Sequence, residues 1–268
     1  MTSIRDVSSD ETVPDLFYEI WDNWRDPHGS GQCAGCPAHW RTRDDLDGTP
    51  GERETSFQHR PSYGYGSYDP DIVILGREPG TPSDDDHSRN RTTESFTDVG
   101  PEFVDAPAGT IEYAQPLFDR IADSALAGYF SQVMKCNELT NIDSEPARDQ
   151  CCGLNGHEGY LREELDVLDP RYVVILGKQG WKKLRTLYDI PPLGPDVFSA
   201  ELTKGTFPSG LRYVAVPNQR FGVFVASHPD PRGAQYVYNN LDIDVDTRGY
   251  YRQLAEDILT YHVDSAAD

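Results

Sequence analysis

Positive charge is what this chain lacks most. Lysine occurs only at positions 135, 178, 182, 183 and 204, and 24 lysines and arginines face 45 aspartates and glutamates, a net charge of −21. Such a balance is wrong for a protein that holds a polyanion by bulk electrostatics. It leaves two readings: an acidic tail or nucleic-acid mimic, or a carboxylate-coated surface suited to a salty cytoplasm. The acids are spread along the whole sequence rather than stacked in one run, which favours the salt-adapted reading. Long apolar runs are also missing. No stretch approaches the ~18 apolar residues of a membrane span, and the N-terminal MTSIRDVSSDETVPD lacks the basic-then-apolar pattern of a secretion signal. The expectation is a cytoplasmic protein with no membrane partner. No internal repeat and no low-complexity linker breaks the sequence, so one domain is expected over 1–268, with a core over about 14–262.

Cysteine is sparse too, with five in all. In a reducing compartment these thiols point to metal binding or catalysis rather than disulfides. Cys33 and Cys36 form a C-x-x-C, Cys136 stands alone, and Cys151 and Cys152 are adjacent. A redox C-x-x-C opens a helix after a strand, whereas this one follows a Gly-Ser-Gly-Gln loop. Four thiolates suit zinc and a [4Fe-4S] cluster alike.

The hydrophobic pattern alternates between short buried-strand runs and helical spacing. Strands are predicted at 71–76 (DIVILG), 129–135 (YFSQVMK), 171–177 (RYVVILG), 211–217 (LRYVAVP) and 222–227 (GVFVAS). Helices are predicted at 14–25, at 111–125 with Pro116 as a blemish, at 158–168, just after the strand at 171–177, and at 248–262. Residues 62–68 (SYGYGSY) read as a Gly-rich surface loop, and the Lys182-Lys183-Leu184-Arg185 run as a solvated helix face. Strands alternating with helices give an α/β fold with a mostly parallel sheet. A site is then expected at the carboxyl ends of the strands, which here read GREPG, KCN, LGK and SHPDP.

Six short elements occur in one order: CAGCP at 33–37, GREPG at 76–80, QVMKC at 132–136, a cysteine at 152, PRYVVILG at 170–177 and SHPDP at 227–231. In that order the chain resembles the iron–sulfur (family 4-like) branch of the uracil-DNA glycosylase superfamily, over about residues 30–260. The resemblance implies a three-layer α/β/α fold around a mostly parallel four-stranded sheet. It implies cleavage of the N-glycosidic bond of uracil or a related deaminated base in DNA, single-stranded or with the base flipped out, by a monomer. It implies a [4Fe-4S] cluster on Cys33, Cys36, Cys136 and Cys152, with Cys151 as the alternative fourth ligand and zinc as the alternative occupant. Glu78 takes the position that orients the attacking water, and His228 the position that donates to the uracil oxygen as charge builds.

The same resemblance makes Phe96 the ring under the flipped base. Gly76, Pro79 and Gly80 shape a loop whose backbone approaches the ligand, and Arg232 meets a phosphate. The chain departs from the pattern at two site positions. Arg77 stands where the branch carries its acid, and Gln132 replaces the base-reading Asn, one methylene longer. Those departures motivate an alternative, a glycosylase-fold protein that binds nucleic acid or nucleotide without cleaving it.

Overall fold

The computed structural model describes residues 64–77, 109–135, 159–192, 207–242 and 244–266, together with Asp15, Leu16, Glu19, Ile20, Asn23 and Leu202. The chain groups into two compact units, one of residues 1–63, 78–99 and 132–168, the other of residues 64–77, 100–131 and 169–268.

Among the described residues one sheet has six strands: β1 (Tyr65–Gly66), β2 (Ile72–Gly76), β3 (Gly128–Gln132), β4 (Tyr172–Leu176), β5 (Arg212–Ala215) and β6 (Gly222–Ala226), in the order β1-β3-β2-β4-β6-β5. The central strands IVILG, YVVIL and GVFVA are buried throughout. Covered on both faces, they need apolar residues at every position rather than at alternate ones. β2 pairs parallel with β4 from Ile72↔Tyr172 to Leu75↔Ile175, and β4 pairs parallel with β6 from Tyr172↔Gly222 to Leu176↔Ala226. The strand starts are stitched along one edge. Ile72 N–H donates to Ala127 O, Tyr172 N–H to Asp71 O and Gly222 N–H to Arg171 O. β2, β4 and β6 therefore run the same way and end together. The sheet is mostly parallel as expected but has six strands rather than four.

Two antiparallel edge strands flank them. β5 pairs with β6 and β1 with β3. β1 lies within the segment read as a surface loop. Its glycines are required by close approach: a Cβ on Gly64 would fall 1.9 Å from the Tyr129 hydroxyl. What looked like loop composition is a backbone pressed against an aromatic ring.

Among the described residues, the second unit includes α1 (Gln115–Ala122), α3 (Lys178–Leu187), α4 (Pro231–Asn240) and α5 (Thr247–Ala266), and the first unit includes α2 (Tyr160–Leu168). Pro116 sits in the first turn of α1, after a 3-10 turn at Gly109–Ala114. There its missing N–H costs nothing, so it marks a start rather than a flaw. Leu117, Phe118 and Ile121 of α1 are buried, as are Tyr250, Tyr251, Leu254, Ala255 and Ile258 of α5. The two helices pack together, and Arg120 Nε closes an ion pair with Glu256 Oε1 at 2.6 Å.

Lys183 departs from the solvated-face reading: it is buried, while Lys182 beside it is exposed. In the first unit Asp15, Leu16, Glu19, Ile20 and Asn23 are helical, with Leu16 and Ile20 buried as the spacing at 14–25 predicts. No helix among the described residues is long and apolar enough to cross a membrane.

Candidate active site

Three parallel strands of the second unit deliver their ends to one edge. β2 ends at Gly76, followed by the exposed Arg77; β4 ends before Gly177; β6 ends before Ser227 and His228. Gly177 N–H donates to Ala226 O at 2.9 Å, tying the last two ends together.

Gly177 has φ +100° and ψ 164°, a backbone region essentially reserved for glycine. A Cβ there would lie 2.9 Å from His228 Cβ and 3.2 Å from its Cδ2. The imidazole therefore sits directly over a bare backbone at the tip of β4.

The loop after β6 fixes the proton on that imidazole. Asp230 N–H donates to His228 Nδ1 at 3.1 Å. A neutral ring that accepts at Nδ1 carries its hydrogen on Nε2 and offers it as a donor. Burial lowers the His228 pKa; Arg77 also lowers it, against an opposing pull from Asp230. The side chain is thus a neutral Nε2–H donor at neutral pH.

Asp230 has a second task. Its Oδ1 accepts from Arg232 N at 2.7 Å and caps α4, with Pro231 in the first turn. That Asp-Pro signature is present in the sequence and marks a helix that the hydrophobic pattern alone did not reveal. Pro229 is buried, and the Arg232 side chain is exposed.

In the first unit, Gln132 follows the buried Ser131 as the last residue of β3. It is 8% exposed, and its Oε1 is buried without a hydrogen-bond partner among the described residues. An amide oxygen withdrawn from water and left unpaired is destabilising unless a ligand meets it. Just beyond it, Lys135 Nζ donates to the Gln132 carbonyl at 2.7 Å and to Glu164 Oε2 of α2 at 2.5 Å. This pair is almost completely buried, at 1% and 0% exposure. Sequence reading missed it, although Glu164 falls between Leu161 and Leu168 on the apolar stripe of the helix, an acid where the spacing calls for core.

Of the site residues expected from sequence, Gly76, Arg77 and His228 meet at the strand ends of the second unit, with Arg232 at the start of α4. Gln132 is placed in the first unit. Glu78, Pro79, Gly80, Phe96 and the cysteines Cys33, Cys36, Cys136, Cys151 and Cys152 lie outside the described residues. Among the described residues no three His, Cys, Asp or Glu side chains gather as a metal site.

A parallel α/β sheet with a neutral histidine donor and a basic group at its carboxyl edge defines a class of enzyme-like folds that engage polar ligands at their strand tips. The family model described as the uracil DNA glycosylase superfamily matches residues 63–244, well over half of the chain. The chain belongs to the uracil DNA glycosylase superfamily, and its fold is the three-layer α/β/α arrangement of that group. No curated protein matches the chain.

Proposed function

We propose that this protein is a DNA glycosylase that hydrolyses the N-glycosidic bond of uracil or a related deaminated base. The observation that carries the reading is the neutral His228, its Nδ1 occupied by Asp230 N–H and its Nε2–H left to donate. In this reaction the C1′–N1 bond breaks with its electron pair staying on the base, and water oxygen bonds to C1′. His228 Nε2–H donates to the base oxygen on which negative charge grows, stronger in the transition state than in the substrate. Glu78 orients the water and takes up its proton. The unpaired Gln132 Oε1 fits an amide that reads the N–H edge of a pyrimidine. Phe96 stacks under the base, Gly76, Pro79 and Gly80 line its loop, and Arg232 meets a flanking phosphate.

The same reading includes a [4Fe-4S] cluster on Cys33, Cys36, Cys136 and Cys152, with Cys151 as the alternative fourth ligand. Cys33 and Cys36 precede the matched residues 63–244, so the cluster rests on the cysteine pattern itself. When bound, it would crosslink the segments that carry its thiolates. The net charge of −21 fits a protein working in a salt-rich cytoplasm, where stacking and hydrogen bonds outweigh counterion release in holding DNA. We take it to act as a monomer on single-stranded or flipped-out bases.

Arg77 supports a second reading. Exposed at the tip of β2 and acting on His228, it suits a bound anion. The protein would then hold nucleic acid or nucleotide without cutting. Both readings meet in one experiment: purified protein, reconstituted with iron and sulfide, is incubated at high salt with oligonucleotides bearing uracil, hypoxanthine or xanthine, then treated with alkali. Strand breaks at the modified base, lost about 10²-fold in Glu78→Gln or His228→Ala, are the expected result. Binding without breaks would favour the second reading.

A further inference from the structure

We infer that Tyr251, on the C-terminal helix α5, is a positioning residue for His228. The inference rests on the glycosylase reading for its activity test, but its geometry stands apart from that reading. Tyr251 is completely buried, and its hydroxyl donates to the Ser227 carbonyl at 3.0 Å. Ser227 is itself buried and directly precedes His228. Burial holds the Tyr251 hydroxyl far above the ordinary tyrosine range, with Tyr250 and Asp230 adding to the effect. It therefore stays protonated, and stays a donor, at every working pH.

On its other sides the same stretch of the loop lies against bare backbone. A Cβ on Gly177 would meet His228 from the tip of β4, and one on Gly233 would lie 3.2 Å from Ser227 Oγ and 3.6 Å from His228 O. Gly177 and Gly233 thus leave room for the loop to lie close to β4 and α4, and neither has a side chain to hold it there. The hydroxyl of Tyr251 fixes the peptide plane between Ser227 and His228. That plane sets the direction from which the imidazole leaves the backbone, and so the aim of Nε2.

Tyr251 also lies beyond residues 63–244, the span matched by the family model. The donor histidine belongs to the matched span, and the group that orients it is supplied by a helix outside it.

Tyr251→Phe keeps the ring and removes only the hydroxyl. Base release from a uracil-bearing oligonucleotide should show kcat about tenfold lower with KM little changed, as expected for one lost hydrogen bond. In a His228→Ala background the same substitution should have no further effect. Equal losses in both backgrounds, or an unchanged kcat, would overturn the inference.

A second readout needs no activity. The His228 imidazole, followed by NMR, should titrate closer to its ordinary value of 6.5 in Tyr251→Phe, because a loosened loop hydrates the ring. Arg77 and Asp230, the charged groups acting on that ring, are unchanged by the substitution. An unmoved titration midpoint would refute the positioning role. A wild-type protein that releases no base would refute the glycosylase reading alone.

Discussion

Gly177 and His228 share a space that admits one side chain. A Cβ at Gly177 would lie 2.9 Å from His228 Cβ and 3.2 Å from its Cδ2, and the Gly177 backbone at φ +100° would strain a residue other than glycine in any case. Gly177→Ala should therefore act twice. Strain at this backbone position costs about 1–3 kcal/mol of stability, measurable as a shift of the denaturant midpoint. The 2.9 Å clash also displaces the histidine, so base release per folded molecule should fall at least tenfold, since misplacing a catalytic group by a fraction of an ångström is costly. A variant less stable but fully active would detach Gly177 from the site.

The pH dependence follows from Asp230. Its N–H donates to His228 Nδ1, so protonating the ring sets two donors against each other and breaks the turn. His228 has a folded-state pKa below the ordinary 6.5. The unfolded chain therefore binds its proton first as pH falls. The stability that the turn contributes is fully present above 6.5 and is lost as pH falls through the lowered folded value. Base release should be flat above neutrality and drop on the acid side of 6.5. His228→Asn should flatten the acid limb that this group adds to thermal denaturation, measured across a pH series.

Gln132 offers a test in which stability and function move in opposite directions. Its Oε1 is buried and unpaired among the described residues, so Gln132→Leu removes a desolvated group that contributes nothing to the fold. Stability should stay within about 0.5 kcal/mol of wild type or rise. Cleavage of uracil-bearing oligonucleotide should fall about 10²-fold, because a pocket that hydrogen-bonds its ligand rejects one it cannot pair with. If stability falls by several kcal/mol instead, the amide serves the fold and not a base.

Much of the scaffold was legible because its physics is local. The runs at 72–76, 172–176 and 222–226 are apolar at every position because they are buried on both faces, and that leaves an unmistakable signature. The strand tips, and with them His228, followed directly. The features that escaped depend on partners distant in sequence. Gly64 reads as a loop residue until Tyr129 is seen lying against it, and Tyr251 reads as ordinary core until Ser227 accepts its hydrogen. α4 was missed for another reason: its start is marked by Asp230 and Pro231 rather than by a long apolar stripe. Glu78, Phe96 and the cysteines, the residues on which cleavage and the cluster most depend, fall outside the described residues.

The buried pair of Lys135 and Glu164 supplies the last prediction. Glu164 lies on the apolar stripe of its helix and is fully buried against the ammonium that also holds the Gln132 carbonyl. Removing one partner leaves a desolvated charge behind, so Lys135→Met or Glu164→Gln should each cost about 3–5 kcal/mol. Lys135→Met combined with Glu164→Leu removes both charges and should recover much of that loss. If the ammonium also fixes the turn after β3, the double variant should regain stability without regaining selectivity, since the Lys135 hydrogen bond to the Gln132 carbonyl is gone. Denaturant midpoints, read beside uracil-to-hypoxanthine cleavage ratios, distinguish the outcomes. Full recovery of both would make the pair a stabilising contact with no bearing on Gln132.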